Sequence, residues 1–219
     1  MNLPQTLVLE GQYCTLVSLS QAHLPQLARI AADPIIWQYL PIKGYQLDTF
    51  WNWIEDTMRL KAAGTAHPFA VINSKTHQII GTSRFQDIQP EHNKMDIGWT
   101  WFTPSVWGSK VNTEAKNLML NYAFEECGVA RIGFKVDENN KRSQRALEKI
   151  GASKEGVFKK HMIRPDGTAR TSFFYGITDD DWLAVKRQLD YLLNQSFERH
   201  VHLGTPSVFR QKLTDNIAV

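Results

Sequence analysis

The chain has 219 residues, 42 % of them apolar and 21 % charged, with a net charge of +3. That profile belongs to a globular protein with a buried core, not to a disordered or fibrous chain. The positive balance is too mild and too evenly spread for a nucleic-acid surface, and no stretch reaches the ~20 apolar residues of a membrane-spanning helix.

The N-terminus MNLPQTLVLEGQYC has no basic segment followed by a long apolar run, so it does not read as a secretory signal. Cys14 and Cys127 are the only cysteines, which excludes a disulfide framework and a thiolate zinc motif. The expectation is a cytoplasmic protein with no metal and no nucleic-acid or membrane partner. Seven Trp and eleven Phe point chiefly to a well-filled core.

Residues 7–19 read as extended, bent at Gly11. Residues 20–32 place Leu24, Leu27, Ala28 and Ala31 at helical spacing behind Ser20 as cap, and Asp33-Pro34 ends that helix. A loop over 35–45 carries Trp37, Tyr39 and Pro41. Asp48 is expected to cap a second helix with an apolar stripe of Phe50, Trp51, Ile54 and Met58, closed by Gly64. The period then shortens. Residues 69–72, 79–85 and 95–102 read as three strands separated by turn residues. A helix is expected over 113–126. Residues 131–137 alternate strictly, with Ile132, Phe134 and Val136 on one face. A helix over 140–150 ends at Gly151, residues 153–162 and 168–177 form a hairpin around Arg164-Pro165-Asp166-Gly167, and 179–193 is a last helix.

This order predicts an α/β (α+β) fold: a mixed, mostly antiparallel sheet of about seven strands with helices on both faces. Residues 1–194 read as one domain, with 195–219 as an extension that covers an edge or meets a second subunit, so a homodimer is possible.

The stretch from 104 to 151 carries the chemistry. A turn, Trp107-Gly108-Ser109-Lys110-Val111-Asn112, opens into the helix at Thr113. A turn feeding a helix start offers unpaired N–H groups and the positive end of the helix dipole, which suits a phosphate. At the next strand-to-helix junction stand Asn140 and Ser143, a pair suited to an amide or thioester. Together they point to a cofactor with pyrophosphate at one end and a reactive carbonyl at the other.

On Ile97-Gly98-Trp99, Asn112-Thr113-Glu114-Ala115 and Asn140-x-x-Ser143 followed by Leu147-Glu148-Lys149-Ile150-Gly151-Ala152, the chain resembles the GNAT superfamily of acyl-CoA-dependent N-acyltransferases, and within it the ribosomal-protein N-acetyltransferase-like branch. The resemblance covers residues 7–193. Trp107, Lys110 and Asn112 depart from the usual Gln or Arg, Gly, and Gly or Ala. Asn112 can replace a Gly because Asn tolerates left-handed backbone angles, and Lys110 fits if its ammonium faces the phosphates. The chain matches a sub-branch reading W-G-x-x-x-N-x-E-A-K here.

The resemblance implies acetyl-CoA bound by Phe102, Thr103, Trp107, Gly108, Ser109, Lys110, Val111, Asn112, Thr113, Asn140 and Ser143, and an amine acceptor in a direct ternary complex. Many relatives place a Tyr where this chain has Leu147, so Ser143 is implied as the group beside the departing sulfur. An alkylammonium titrates near pH 10, so a base must remove its proton. Asp96 is the first candidate, Asp137 and Glu138 the second, and a water chain a further one. For each carboxylate the alternative is a solvated strand-end charge; for Asn140, a helix cap; for Trp37, Tyr39, Trp51 and Trp53, core packing in place of an acceptor wall. His200 and His202 lack partners for a metal site. The alternative function is a GNAT-like protein that binds acyl-CoA without turnover.

Overall fold

A computed structural model describes residues 3–195. His200, His202 and nearly all of the expected extension lie outside the described residues. The stretch expected as a single extended element is a hairpin, β1 (Val8–Glu10) and β2 (Cys14–Ser18), so the sheet has eight strands and not about seven. The cause lies far away in sequence. The Glu114 carboxylate accepts N–H bonds from Gln12 (2.8 Å), Tyr13 (2.6 Å) and Cys14 (2.7 Å), which folds the chain tightly behind Gly11. A Cβ on Gly11 would lie 2.6 Å from that carboxylate, so only glycine fits.

Helix α1 (Leu24–Ala31) follows a single 3-10 turn whose cap is Ser20, as expected; the Ser20 N–H donates to His23 Nδ1 at 3.1 Å. Helix α2 (Leu47–Ala62) begins two residues earlier than expected, with Gln46 at the cap and Asp48 inside the first turn, where its charge faces the positive end of the dipole. Its buried stripe is Phe50, Trp53, Ile54 and Thr57, a 3.6-residue period, while Trp51 is 41 % exposed. The stripe expected on Trp51 therefore runs through Trp53.

The remaining strands are β3 (Ala66–Asn73), β4 (Ile79–Gln89), β5 (Lys94–Phe102), β6 (Arg131–Asp137), β7 (Ser153–Ile163) and β8 (Ala169–Thr178), in the order β1-β2-β3-β4-β5-β6-β8-β7. Every neighbouring pair is antiparallel except β5 with β6. Alternate strand residues divide the core between the two faces. On one face Phe69, Phe85, Met95 and Ile132 pack with α3 (Val111–Asn121), α4 (Lys141–Lys149) and α5 (Asp179–Asn194). On the other, Leu19, Ala70 and Trp101 pack with α1 and α2. The end of α3 widens into π-helical geometry over Tyr122–Glu126. No helix among the described residues is long and apolar enough to cross a membrane.

Two buried charges dock α3 on the sheet. Glu114 is one. The other is Lys116, buried within the domain, whose Nζ donates to Thr100 Oγ1 at 2.9 Å; that oxygen shares a hydrogen bond with Ser83 Oγ at 2.7 Å. No carboxylate forms an ion pair with Lys116 among the described residues, and burial pushes its pKa down to about 7.

Glu114→Gln presents an N–H to three N–H donors and should cost about 2–4 kcal/mol in urea denaturation; an unchanged midpoint would show that the carboxylate is not what closes the hairpin. For Lys116 the folded chain binds fewer protons than the unfolded chain between its lowered pKa and the ordinary 10.5, so its burial penalty is fully present below about pH 7 and fades as pH rises. Lys116→Met should then be more stable than the native chain by a few kcal/mol at about pH 6, and the gain should shrink towards about pH 10. A pH-independent difference would contradict the buried, unpaired ammonium.

Candidate active site

The parallel strands β5 and β6 pair only through Lys94↔Arg131, Met95↔Ile132 and Asp96↔Gly133, although β5 runs on to Phe102 and β6 to Asp137. Beyond Asp96 they part. The reason lies in β5. Trp99 has φ 48°, and the pairing with β4 jumps from Arg84↔Gly98 to Thr82↔Trp101, so one residue of β4 faces an extra residue of β5. Such a bulge bends its strand and leaves backbone unpaired. The result is a wedge-shaped opening between the two strands, lined by main chain.

At the wide end of the wedge lies the turn. Trp107 Nε1 donates to the Phe102 carbonyl at 2.9 Å, and the Thr103 N–H donates to the Ile80 carbonyl at 2.8 Å, fixing how the strand leaves the sheet. Gly108 takes the left-handed conformation at φ 73° with open space around it. Ser109 Oγ accepts the Val111 N–H at 3.3 Å, and α3 starts at Val111, two residues before the expected Thr113. Asn112 thus sits inside the first helical turn, and the left-handed angle expected of it belongs to Gly108 alone in this turn.

The N–H groups of Thr103, Trp107, Ser109 and Val111 are spent within the protein. Those of Gly108, Asn112 and Thr113 have no acceptor among the described residues. Lys110 does not aim its ammonium at the turn: Nζ donates to Tyr13 Oη at 3.2 Å and to the Leu193 carbonyl at 2.7 Å, at the negative end of α5. A cation that the sequence reading missed takes its place. The Arg142 guanidinium lies 3.5 Å from the Trp107 ring centroid and so joins the start of α4 to the turn.

Across the opening, Asn140 Oδ1 accepts the Ser143 N–H at 3.0 Å, so Asn140 is the cap of α4. The half-buried Ser143 hydroxyl makes no hydrogen bond among the described residues. Leu147, the position where many relatives carry Tyr, is buried in the core.

The carboxylates differ in their freedom. Asp137 is gripped by Arg164 through Nε (2.9 Å) and Nη2 (3.0 Å), and it accepts the Asn139 N–H at 2.8 Å. Burial raises its pKa, but those bonds outweigh it and hold the carboxyl below its ordinary value. Glu138 accepts from Arg164 Nη2 at 3.2 Å and from the Thr171 N–H at 3.2 Å. Both clamp the β7–β8 hairpin to the end of β6. Asp96 has no such partner. It forms the last β5–β6 pair, and a Cβ on Gly133 would lie 2.2 Å from Asp96 Oδ1. Burial raises the Asp96 pKa, with Asp87 adding to the rise and Lys94, Lys135 and Arg131 opposing it.

On the α2 side of the bulge stands an aromatic wall. Trp53 lies 5.7 Å from Trp99 and 6.2 Å from Trp101, and Trp37 lies 5.4 Å from Trp101, centroid to centroid. Trp37, Trp53 and Trp101 are buried and Trp99 is half-buried, so they are both core and wall; Tyr39 is half-buried at the loop. Trp99 and Trp101 were not singled out as wall residues in the sequence, because a bulge that puts neighbouring residues on one face breaks the period of two.

A cavity of about 530 Å³ lies elsewhere, lined among others by Pro4, Met58, Lys61 and His67. None of its lining residues belongs to β5, β6, α3 or α4, and its polar groups are engaged, His67 Nε2 with Ser18 Oγ (2.8 Å) and Lys61 Nζ with the Leu19 carbonyl (2.8 Å). A smaller cavity of about 170 Å³ touches the turn at Val106, Ser109 and Val111. Among the described residues no group of three His, Cys, Asp or Glu side chains is placed to hold a metal ion.

Comparison with known proteins identifies the family and the fold. The chain is 32 % identical over 102 residues to the uncharacterized N-acetyltransferase YoaA of Bacillus subtilis, a match spanning 47 % of this chain and 56 % of that protein. A GCN5-related N-acetyltransferase from Brucella melitensis superposes with a TM-score of 0.78 at 25 % identity, covering 87 % of this chain and 86 % of that one. Mycobacterium smegmatis RimJ, solved in complex with CoA-disulfide, shares the fold at a TM-score of 0.71 and 18 % identity, over 85 % of this chain and 92 % of its own. The pattern of the acetyltransferase (GNAT) domain matches residues 14–153, and the chain belongs to that family.

Proposed function

We propose that this acetyltransferase carries an acetyl group from acetyl-CoA to a primary amine by direct attack in a ternary complex in the cytoplasm. The observation that carries the reading is the coincidence of three features. These are the wedge between β5 and β6, the unspent N–H groups of Gly108, Asn112 and Thr113, and the unspent hydroxyl of Ser143 on the opposite strand-to-helix junction.

The pyrophosphate fits the turn. The three N–H groups and the dipole of α3 provide fixed donors, and Arg142 adds a positive charge beside them. Acetyl-CoA supplies the activated acyl group. Backbone donors of the bulged part of β5 orient the carbonyl, at no reorganisation cost because the bulge is built into the sheet. Ser143 offers a hydrogen bond to the sulfur that leaves. Asp96, with its raised pKa and no ion-pair partner, takes the proton of the acceptor ammonium. Asn140 orients Ser143 through the cap and presents its remaining amide N–H groups to the cofactor arm.

The primary test is release of free CoA thiol across a panel of amines. Tight CoA binding with no thiol released on any amine favours a non-catalytic acyl-CoA-binding protein. Asn112→Pro removes one first-turn N–H at a position where proline is tolerated; CoA affinity should fall about tenfold with little change in melting temperature. Equal affinity in the folded variant would remove the turn from the binding site. Ser143→Ala should lower kcat more than CoA affinity, and equal losses would make Ser143 a binding contact only. Because Asp96 must be ionised to accept a proton, kcat/KM should decline on the acid side through a pKa above the ordinary 3.8, and Asp96→Asn should abolish that limb. An unaltered acid limb in the variant would assign the base elsewhere.

A further inference from the structure

Arg84 is a buried cation that the reaction above does not use. It pairs with Gly98 across the β4–β5 ladder, one residue from the bulge, and is only 7 % exposed. Its Nε donates to Gln86 Oε1 at 3.0 Å, its Nη1 to Thr57 Oγ1 at 3.2 Å, and its guanidinium lies 5.0 Å from the Trp99 ring centroid. Each of these partners is neutral. No carboxylate forms an ion pair with Arg84 among the described residues, and Nη2 has no protein acceptor there. The one acid whose charge acts on it among the described residues, Asp56, is exposed and forms its own ion pair with Arg59. Burial pulls the Arg84 pKa down to about 10.

A guanidinium removed from water with no counter-charge is costly and persists when something outside the fold compensates it. A second observation points the same way. Trp53 and Trp101, in contact with each other and, through Trp53, with Trp99, carry buried indole N–H groups with no acceptor among the described residues. A buried donor left without an acceptor keeps its full desolvation penalty. The donors left unspent on this side of the bulge are thus all of one kind, and they call for oxygen acceptors.

Resting on the acetyltransferase reading, we infer that Arg84 and the Trp53–Trp99–Trp101 wall form the acceptor subsite, and that the acceptor is a small α-amino acid whose carboxylate pairs with Arg84. The planar fork of a guanidinium matches a carboxylate. One cation balances a monoanion and leaves a phosphate dianion only half compensated. The depth of Arg84 beside a packed aromatic cluster suits a free amino acid. A peptide N-terminus offers a neutral carbonyl at the same distance from its amine.

The test uses the full chain with the common α-amino acids, their α-amides, the corresponding decarboxylated amines and dipeptides. Two readouts are followed: CoA thiol release, and tryptophan fluorescence during titration in the presence of CoA. The acid forms should be preferred over their amides by at least about tenfold in kcat/KM. Arg84→Met, which keeps the packing on Trp99, should erase that preference while changing the amides less than about threefold, and Arg84→Lys should restore part of it. Saturable quenching by an amino acid, lost in Arg84→Met, supports the subsite even if no thiol is released, in which case the catalytic reading fails alone. The inference is overturned if amides, decarboxylated amines or dipeptides serve as well as the acids. It is also overturned if Arg84→Met lowers all acceptors equally, or if no amino acid either quenches fluorescence or releases thiol.

Discussion

The parting of β5 from β6 is the constraint on which the rest of the molecule depends. A parallel pair inside an otherwise antiparallel sheet needs a long crossover, here α3, and the three registered pairs hold the strands together only at one end. The bulge at Trp99 makes the separation a property of the backbone, independent of any ligand. Everything assigned to chemistry borders that opening: Asp96 at its closed end, the turn before α3 at its wide end, Ser143 across it, and Arg84 with the tryptophans beside it.

The opening must be held by something, since strands free to pair gain hydrogen bonds by closing. Helix α3 does this from one face. Glu114 ties its first turn to the β1–β2 hairpin, and Lys116 ties its next turn to Thr100 on the bulged strand. Both are charged groups in the interior, and each would be a poor choice for stability alone. From the other face, Trp53 and Trp101 fill the space under the bulge with rings whose N–H groups remain unspent. The molecule thus concentrates its unsatisfied polar groups around one gap, the pattern expected where a ligand completes the hydrogen-bonding.

Much of this was legible in the chain. The strict alternation at 131–137 gave β6 to the residue, and Arg164-Pro165-Asp166-Gly167 located the β7–β8 turn, because period and turn chemistry are local properties. The errors arose where a distant group decides. The β1–β2 hairpin depends on a carboxylate a hundred residues away, which no local pattern reveals. Ser109 starts α3 early by capping from outside the helix, which moved Asn112 out of the role a glycine would have. Trp53 replaced Trp51 in the α2 stripe because Phe50, Trp53, Ile54 and Thr57 follow the i, i+3, i+4, i+7 spacing of one helix face, which leaves Trp51 beside that face. Of the candidate site, the turn and the Asn140–Ser143 pair were readable from their spacing. Arg84, Arg142 and Lys116 were not, since their significance lies in what surrounds them. An unpaired buried cation is invisible until the fold shows that no carboxylate is near.

The most direct measurement is a titration of the isotope-labelled protein with CoA, following backbone amide resonances. The largest shifts should fall on Gly108, Asn112 and Thr113, with further shifts along the separated part of β5 and at Ser143. Shifts concentrated instead on Thr6, Gly64 and His67, around the larger cavity, with the turn before α3 unmoved, would contradict CoA binding at that turn.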